Sequence, residues 1–200
     1  FSFSVKTEVC ADEDTKDKVH LESDIKLAKY LLNMRNTNAG SFNFGAFRMG
    51  PKGDPNNPYD QRLNFDPKAA QWYDLYNTEH NNDIRRALKV LLYTLQSDFD
   101  DYGAFIQTME QAINDNLKWR RKMYDPAKHL FCVGSTDVTY SSGYWNMTFK
   151  AGEVIPLHPL DATAWGVDDV DFLESLEPDA VSKIRKAIDG GYPVFLQIDT

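Results

Sequence analysis

The chain has 200 residues, of which 42% are hydrophobic, 13% aromatic and 26% charged, a balance that excludes an intrinsically disordered polypeptide. A chain of this length buries about 70% of the surface exposed when it is unfolded, so it carries a core of its own. Thirty acidic against twenty-two basic side chains give a net charge of -8, which disfavours nucleic acid as a principal ligand.

Phe1, Phe3 and Val5 alternate with Ser2 and Ser4, the period of a half-buried edge strand, and an acidic loop follows from Asp12 to Asp17. Leu21, Ile25, Ala28, Leu31, Leu32 and Met34 recur at helical spacing, which predicts a helix from Asp17 to Arg35. Residues 36–66 have no sustained period and are rich in Gly and Pro, so they are expected to form a long irregular loop. Its five aromatics, Phe42, Phe44, Phe47, Tyr59 and Phe65, argue that it packs on the domain or on a partner.

Asp66-Pro67 reads as a helix start, with Ala70, Trp72, Tyr73 and Tyr76 following and an end before His80. Asn82 then reads as the cap of a helix to Ser97 whose apolar face is Ile84, Leu88, Leu91, Leu92 and Leu95. A further helix over 103–124 shows Phe105, Ile106, Met109, Ile113 and Leu117 on one face. The best apolar run, Val90 to Leu95, falls far short of the roughly 20 residues of a membrane span, so no membrane insertion is expected.

From His129 the texture changes to short β-branched and aromatic runs separated by Gly and Ser: residues 130–133, 138–140, 144–149 and 154–157. Ser142-Gly143 between two of them predicts a Tyr140/Tyr144 hairpin. Pro178-Asp179 opens a helix with Val181, Ile184, Ala187 and Ile188 inward, Gly190-Gly191 closes it, and 194–198 reads as a buried strand. Lys183 to Gln197 resembles the helix-to-strand step before the catalytic histidine of papain-like hydrolases, without a diagnostic residue of that family. The expected fold class is α+β, one domain over 1–200 that is helix-rich from 17 to 125 and strand-rich from 129 to 200, with a helical pair beside a small antiparallel sheet. A strand ending at Thr200 without a closing turn suggests a piece of a longer polypeptide.

Candidate chemistry is sparse. Asp98, Asp100 and Gly103 match three places of a calcium loop, but Tyr102 and Met109 stand where oxygen ligands belong and Glu110 is one place late. A solvated helix connection explains the run better, and no metal or other cofactor is expected. Glu79, Asp98, Asp101 and Asp169 could supply paired carboxylates for a glycoside hydrolase, although ordinary surface charge is the simpler reading. His129 and Cys132 point to opposite faces of a strand, so a thiol activated by imidazole would need His80 or His158 brought in by the fold. Lys118, Arg120, Arg121 and Lys122 form a basic run that either binds a small anion or, more simply, complements a helix dipole.

Cys10 and Cys132 are expected to form a disulfide that pins the amino-terminal segment to the β region, consistent with a chain that begins at Phe1 and acts outside the cytoplasm. The function these features point to is non-catalytic binding or assembly, with a protein or carbohydrate partner, or other chains, contacted by Phe42, Phe44, Phe47, Tyr59, Tyr144 and Trp145. The alternative is an extracytoplasmic hydrolase using paired carboxylates or a Cys/His pair.

Overall fold

The computed structural model describes residues 14–50, 74–98, 102–142, 147–164 and 169–190. The helices are α1 (Asp14–Asn33), α2 (Thr78–Asp98), α3 (Gly103–Lys122), α4 (Leu160–Ala164), α5 (Val170–Glu174) and α6 (Ala180–Asp189). The strands are β1 (Leu75–Asn77), β2 (Tyr124–Asp125), β3 (Leu130–Phe131), β4 (Gly134–Thr136), β5 (Tyr140–Ser142), β6 (Met147–Phe149) and β7 (Val154–Ile155). The fold is α+β: helices α2 and α3 pack on each other beside short antiparallel ladders. Among the described residues no helix is long and apolar enough to cross a membrane.

Helix α2 begins four residues before the position expected from Asn82. Asn77 caps it, its Oδ1 accepting the His80 N–H at 3.2 Å, while Asn82 is fully buried one turn inside. The expected apolar face holds, with Leu88, Leu91 and Leu95 buried against Met109, Ala112 and Ile113 of α3. Ile25 and Ala28 of α1 close this cluster from the other side, as the helical spacing around them requires.

Residues 75–77 depart from the helix expected ahead of His80. They form β1, the outer strand of a three-stranded sheet in the order β1-β4-β7, with Tyr76 opposite Ser135. The flanking backbone extends the ladder: Thr78 N–H reaches Val133 O at 2.8 Å, and Met49 N–H reaches Leu75 O at 3.1 Å. Tertiary pairing overrides a helix signal whose start, Asp66-Pro67, lies outside the described residues. Gly134 is required at the β1/β4 contact, since a Cβ there would stand 1.9 Å from Tyr76 O.

Strands β5 and β6 pair as a hairpin, with Tyr140 opposite Phe149 and Ser142 opposite Met147. The register places Tyr140 against Phe149; residues 143–146, with Tyr144, lie outside the described residues, as do the strands expected at Phe1–Val5 and 194–198. Of the face expected on α6, Ile184 is fully buried and Val181 and Ile188 pack half-buried beside it, while Ala180, outside that face, is buried as well.

Among the described residues the core consists of two hydrophobic clusters. One joins Tyr76, Trp119, Met123, Phe131, Phe172, Leu173 and Ile184; the other joins Ile25, Leu88, Leu95, Met109 and Ile113. Consecutive residues of the 36–49 segment serve both, Ala46 in the first and Phe47 in the second, each fully buried. A segment that enters a core must satisfy its backbone polar groups there. Asn81 does this for Phe47: its Oδ1 accepts the Phe47 N–H at 2.7 Å and its Nδ2 donates to Phe47 O at 2.9 Å. Its remaining capacity goes to Asn77 O and to Asn116 Nδ2, both at 2.8 Å, so all four amide bonds are made. Gly45 completes the turn at φ +87, where a Cβ would lie 2.3 Å from Asp115 O.

Replacing Asn81 by Ala leaves the Phe47 N–H and C=O buried without partners. The expected loss is about 3 kcal/mol of unfolding free energy, each orphaned group costing about 1–3 kcal/mol, read from urea denaturation.

Candidate functional site

The residues expected at a contact surface are divided by the fold. Phe47 is fully buried and packs the α1/α2/α3 cluster, so it offers no surface to a partner. Phe42 and Phe44 are half-buried; Phe42 packs on the other cluster with Lys122 Nζ 4.8 Å from its ring centroid. Tyr59, Tyr144 and Trp145 lie outside the described residues. Around Phe42 and Phe44 the segment is held by Asp137, whose carboxylate accepts from Asn43 Nδ2 at 2.8 Å, from Arg48 Nη2 at 3.3 Å and from the Tyr76 hydroxyl. Burial, then the bond to Asp137, raises the Tyr76 pKa, so this hydroxyl stays a donor. The network is saturated with internal bonds and serves to position the segment.

Cys132 is a buried free thiol; Cys10, its expected disulfide partner, lies outside the described residues. The fold brings His158, and not His129, to the thiol, with Nε2 at 3.4 Å from Sγ. The same Nε2 lies 3.0 Å from Asp125 Oδ2, and Lys128 Nζ stands 3.5 Å from Nδ1. A relay needs the thiol and the carboxylate on different ring nitrogens, and here they share one. Burial, with the Asp125 charge, pushes the Cys132 thiol up to about 12, and burial followed by the Lys128 charge lowers the His158 pKa. This thiol is protonated and shielded, the opposite of an activated nucleophile.

His129 sits at φ +56 with Nδ1 2.7 Å from Glu177 Oε1. Glu177 also accepts from the Tyr124 hydroxyl and from Lys183 Nζ. The cluster ties the β2/β3 hairpin to the start of α6. Among the carboxylates considered for catalysis, Glu79 has its pKa raised by burial and then by the neighbouring Asp161. Asp101 lies outside the described residues, and Met109 of the calcium-loop register is core. Among the described residues no group of three or more His, Cys, Asp or Glu could hold a metal ion.

Asp169 has a different setting. It caps α5, its Oδ1 accepting the Phe172 N–H at 3.2 Å, and its Oδ2 accepts from Arg85 Nη1 at 2.6 Å. Lys89 Nζ stands 3.6 Å from the same oxygen. Burial pushes the Asp169 pKa up, but Arg85, Lys89, the Phe172 N–H and Arg120 outweigh it and hold the pKa below the usual carboxylate range. Arg85 is 1% exposed, and its Nε has no acceptor among the described residues.

Around this pair two adjoining clefts open. One, of about 340 Å³, runs between α2 and α5 and is lined by Arg85, Arg86, Lys89, Asp169, Val170 and Asp171. The other, of about 370 Å³, continues to α3, sharing Lys89, Asp169 and Asp171 and adding Lys118, Arg121 and the Phe172 ring. Among the described residues five cationic side chains and the carboxylates of Asp169 and Asp171 line these clefts, and Lys118 Nζ also donates to Asp115 Oδ1 at 2.9 Å, in a chain whose net charge is -8. The helical pitch sorts the basic run of α3. Lys118 and Arg121, three apart, share the cleft face; Arg120 is fully buried 4.4 Å from the Phe172 ring centroid; Lys122 donates to Phe42 O at 2.7 Å. Arg121 gives two N–H bonds to neutral acceptors, Ser175 O at 2.8 Å and Ser175 Oγ at 2.9 Å. Sequence reasoning found Lys118 and Arg121 in the α3 run and missed Arg85, Arg86 and Lys89. Their spacing on α2 was a signal, but only the fold sets it against α3.

Comparison with protein-family models, with curated proteins and with solved structures returned no match.

Two carboxyl groups give opposite pH behaviour. The Lys183 ammonium, then the Tyr124 hydroxyl and His129, lower Glu177 to about 2, so its contribution is full above the ordinary value of 4.5 and is lost as pH falls from there towards 2. Glu177→Gln should flatten that part of the acid limb in a melting-temperature profile. Glu79 is raised by burial, then by the charge of Asp161 and its hydrogen bond, so its favourable contribution belongs to low pH and disappears as pH rises through the raised value. Glu79→Gln should therefore stabilise the protein at pH 7, by up to about 1 kcal/mol in denaturant titration, and do nothing at pH 3.

Proposed function

We propose that this chain is a non-catalytic binding domain whose ligand face is the double cleft between α2, α3 and α5, and that the group it captures is anionic. The observation that carries this reading is the convergence of Arg85, Arg86, Lys89, Lys118 and Arg121 on one concave surface of an acidic chain. Surface cations spread over an acidic protein are screened within about 10 Å at ordinary salt. Gathered around a cleft with low-dielectric walls, they focus a positive potential that an anion feels before contact, reduced by Asp169, which pairs with Arg85, and by Asp115, which pairs with Lys118.

The groups in and around the cleft favour binding over turnover. Asp169 is held ionised and is engaged by Arg85, and among the described residues no His or Cys lines the cleft to move a proton. The thiol and imidazole lie elsewhere, at Cys132 and His158.

Titration of the isotopically labelled chain with citrate, phosphate and hexaglutamate at constant ionic strength tests the reading. Amide shifts are expected at 85–89, 118–121 and 169–175, and Lys89→Glu should abolish them. If no probe shifts these amides at millimolar concentration, or if shifts spread evenly over remote lysines such as Lys26 and Lys150, the cleft is not the ligand face.

A further inference from the structure

We propose that His158 is an acid-released latch: its uncharged ring holds the connection between β7 and α4 against the β2/β3 hairpin and covers the Cys132 thiol, and protonation of the ring opens that connection. Residues 156–159, between β7 and α4, form neither helix nor strand. Pro156 and Pro159 have no N–H to donate, and the connection meets the strand region through its backbone where Val133 N–H reaches Leu157 O at 2.6 Å. Its side-chain anchor is His158, 5% exposed. A segment with so few backbone bonds is the kind that opens locally while the rest of a domain stays folded.

Three groups on and just after the hairpin face the ring. Asp125 Oδ2 lies 3.0 Å from Nε2, and a carboxylate only accepts, so the neutral ring carries its hydrogen on Nε2 and donates it there. Nδ1 then presents a lone pair to the Lys128 ammonium, 3.5 Å away. Cys132 Sγ packs 3.4 Å from Nε2, and the residue is 5% exposed, so moving the ring admits water to the thiol. A second proton can enter only at Nδ1, the nitrogen that faces Lys128. It replaces an attraction with a contact between two cations in a shielded site. Asp125 favours the charged ring, but burial and then the Lys128 charge outweigh it and lower the pKa. Among the described residues these are the two charged groups that act on the ring. Once released into water the ring takes up a proton at its ordinary value of 6.5, so the latch is complete above that value and is lost as pH falls below it.

Cys10→Ser leaves Cys132 as the single thiol, and its reaction with a dipyridyl disulfide, a reagent that still attacks thiols in acid, reads the opening. The rate at each pH is divided by that of the same chain unfolded in urea, which removes the intrinsic pH dependence of the thiol. Between about pH 8 and about pH 5 this relative rate should rise at least about threefold, while far-ultraviolet circular dichroism stays constant. His158→Gln, whose amide can still donate to Asp125 but takes up no proton, should give a flat profile. Lys128→Met, which removes the facing cation, should shrink the rise. A flat profile in the parent chain, a rise that tracks loss of helix, or a rise that His158→Gln retains in full overturns the latch. Should His158→Gln fail to fold, Lys128→Met decides, and an unchanged rise in that variant overturns it.

Discussion

The 36–49 segment runs through the core, and everything else in the structure accommodates that. Backbone bonds such as Asn36 N–H to Ala46 O and Gly45 N–H to Asn36 O, both at 2.8 Å, satisfy only part of an irregular segment's N–H and C=O groups in a low-dielectric interior. For the rest, side chains stand in for a neighbouring strand. Asn81 does so for Phe47, and Asn116 donates to Gly45 O at 3.2 Å. From the segment outward, Asn43 joins Trp119 Nε1, the Ser135 hydroxyl and Asp137 in a single network. Asn36, Asn43, Asn81, Asn82 and Asn116 are each 6% exposed or less, an unusual concentration of buried amides that this one constraint largely explains. Asn82 is outside the explanation: its amide has no partner among the described residues, and nothing in the structure accounts for it.

The same segment sets the relation between the two hydrophobic clusters. Ala46 enters one and Phe47 the other, so the spacing of adjacent residues couples the α1/α2/α3 packing to the β region and the carboxy-terminal helices. Because α3 borders both clusters, its two ends have different partners, Met109 and Ile113 on one side and Trp119 on the other. With Trp119 and Arg120 committed inward, Lys118 and Arg121 are left facing α5. The cleft is thus a consequence of core packing. Asp169 holds its far wall by capping α5 and pairing with Arg85 in one residue.

Much of the fold was legible in residue order. The helical periods of α1, α2, α3 and α6, and the short β-branched runs after His129, are local signals that survive folding because each element buries the face its sequence marks. The site was legible only in part, as the basic run at the end of α3. Residues 75–77 were misread because the reason for their extended form, pairing with 134–136, lies some sixty residues away. Phe47 looked like a contact residue because hydrophobicity in an aperiodic stretch marks a buried surface without saying whose.

What the sequence by itself determined was the class: an α+β chain whose helices and short strands follow periodicity, turn chemistry and capping, all of which act over a few residues. What only the tertiary structure decided was which side chains meet. Arg85 reaches Asp169 across 84 positions, Cys132 reaches His158 and not His129, and Asn81 reaches Phe47 across 34 positions. Those meetings depend on how whole elements pack, and packing is settled by the sum of many weak non-local contacts that no local pattern encodes.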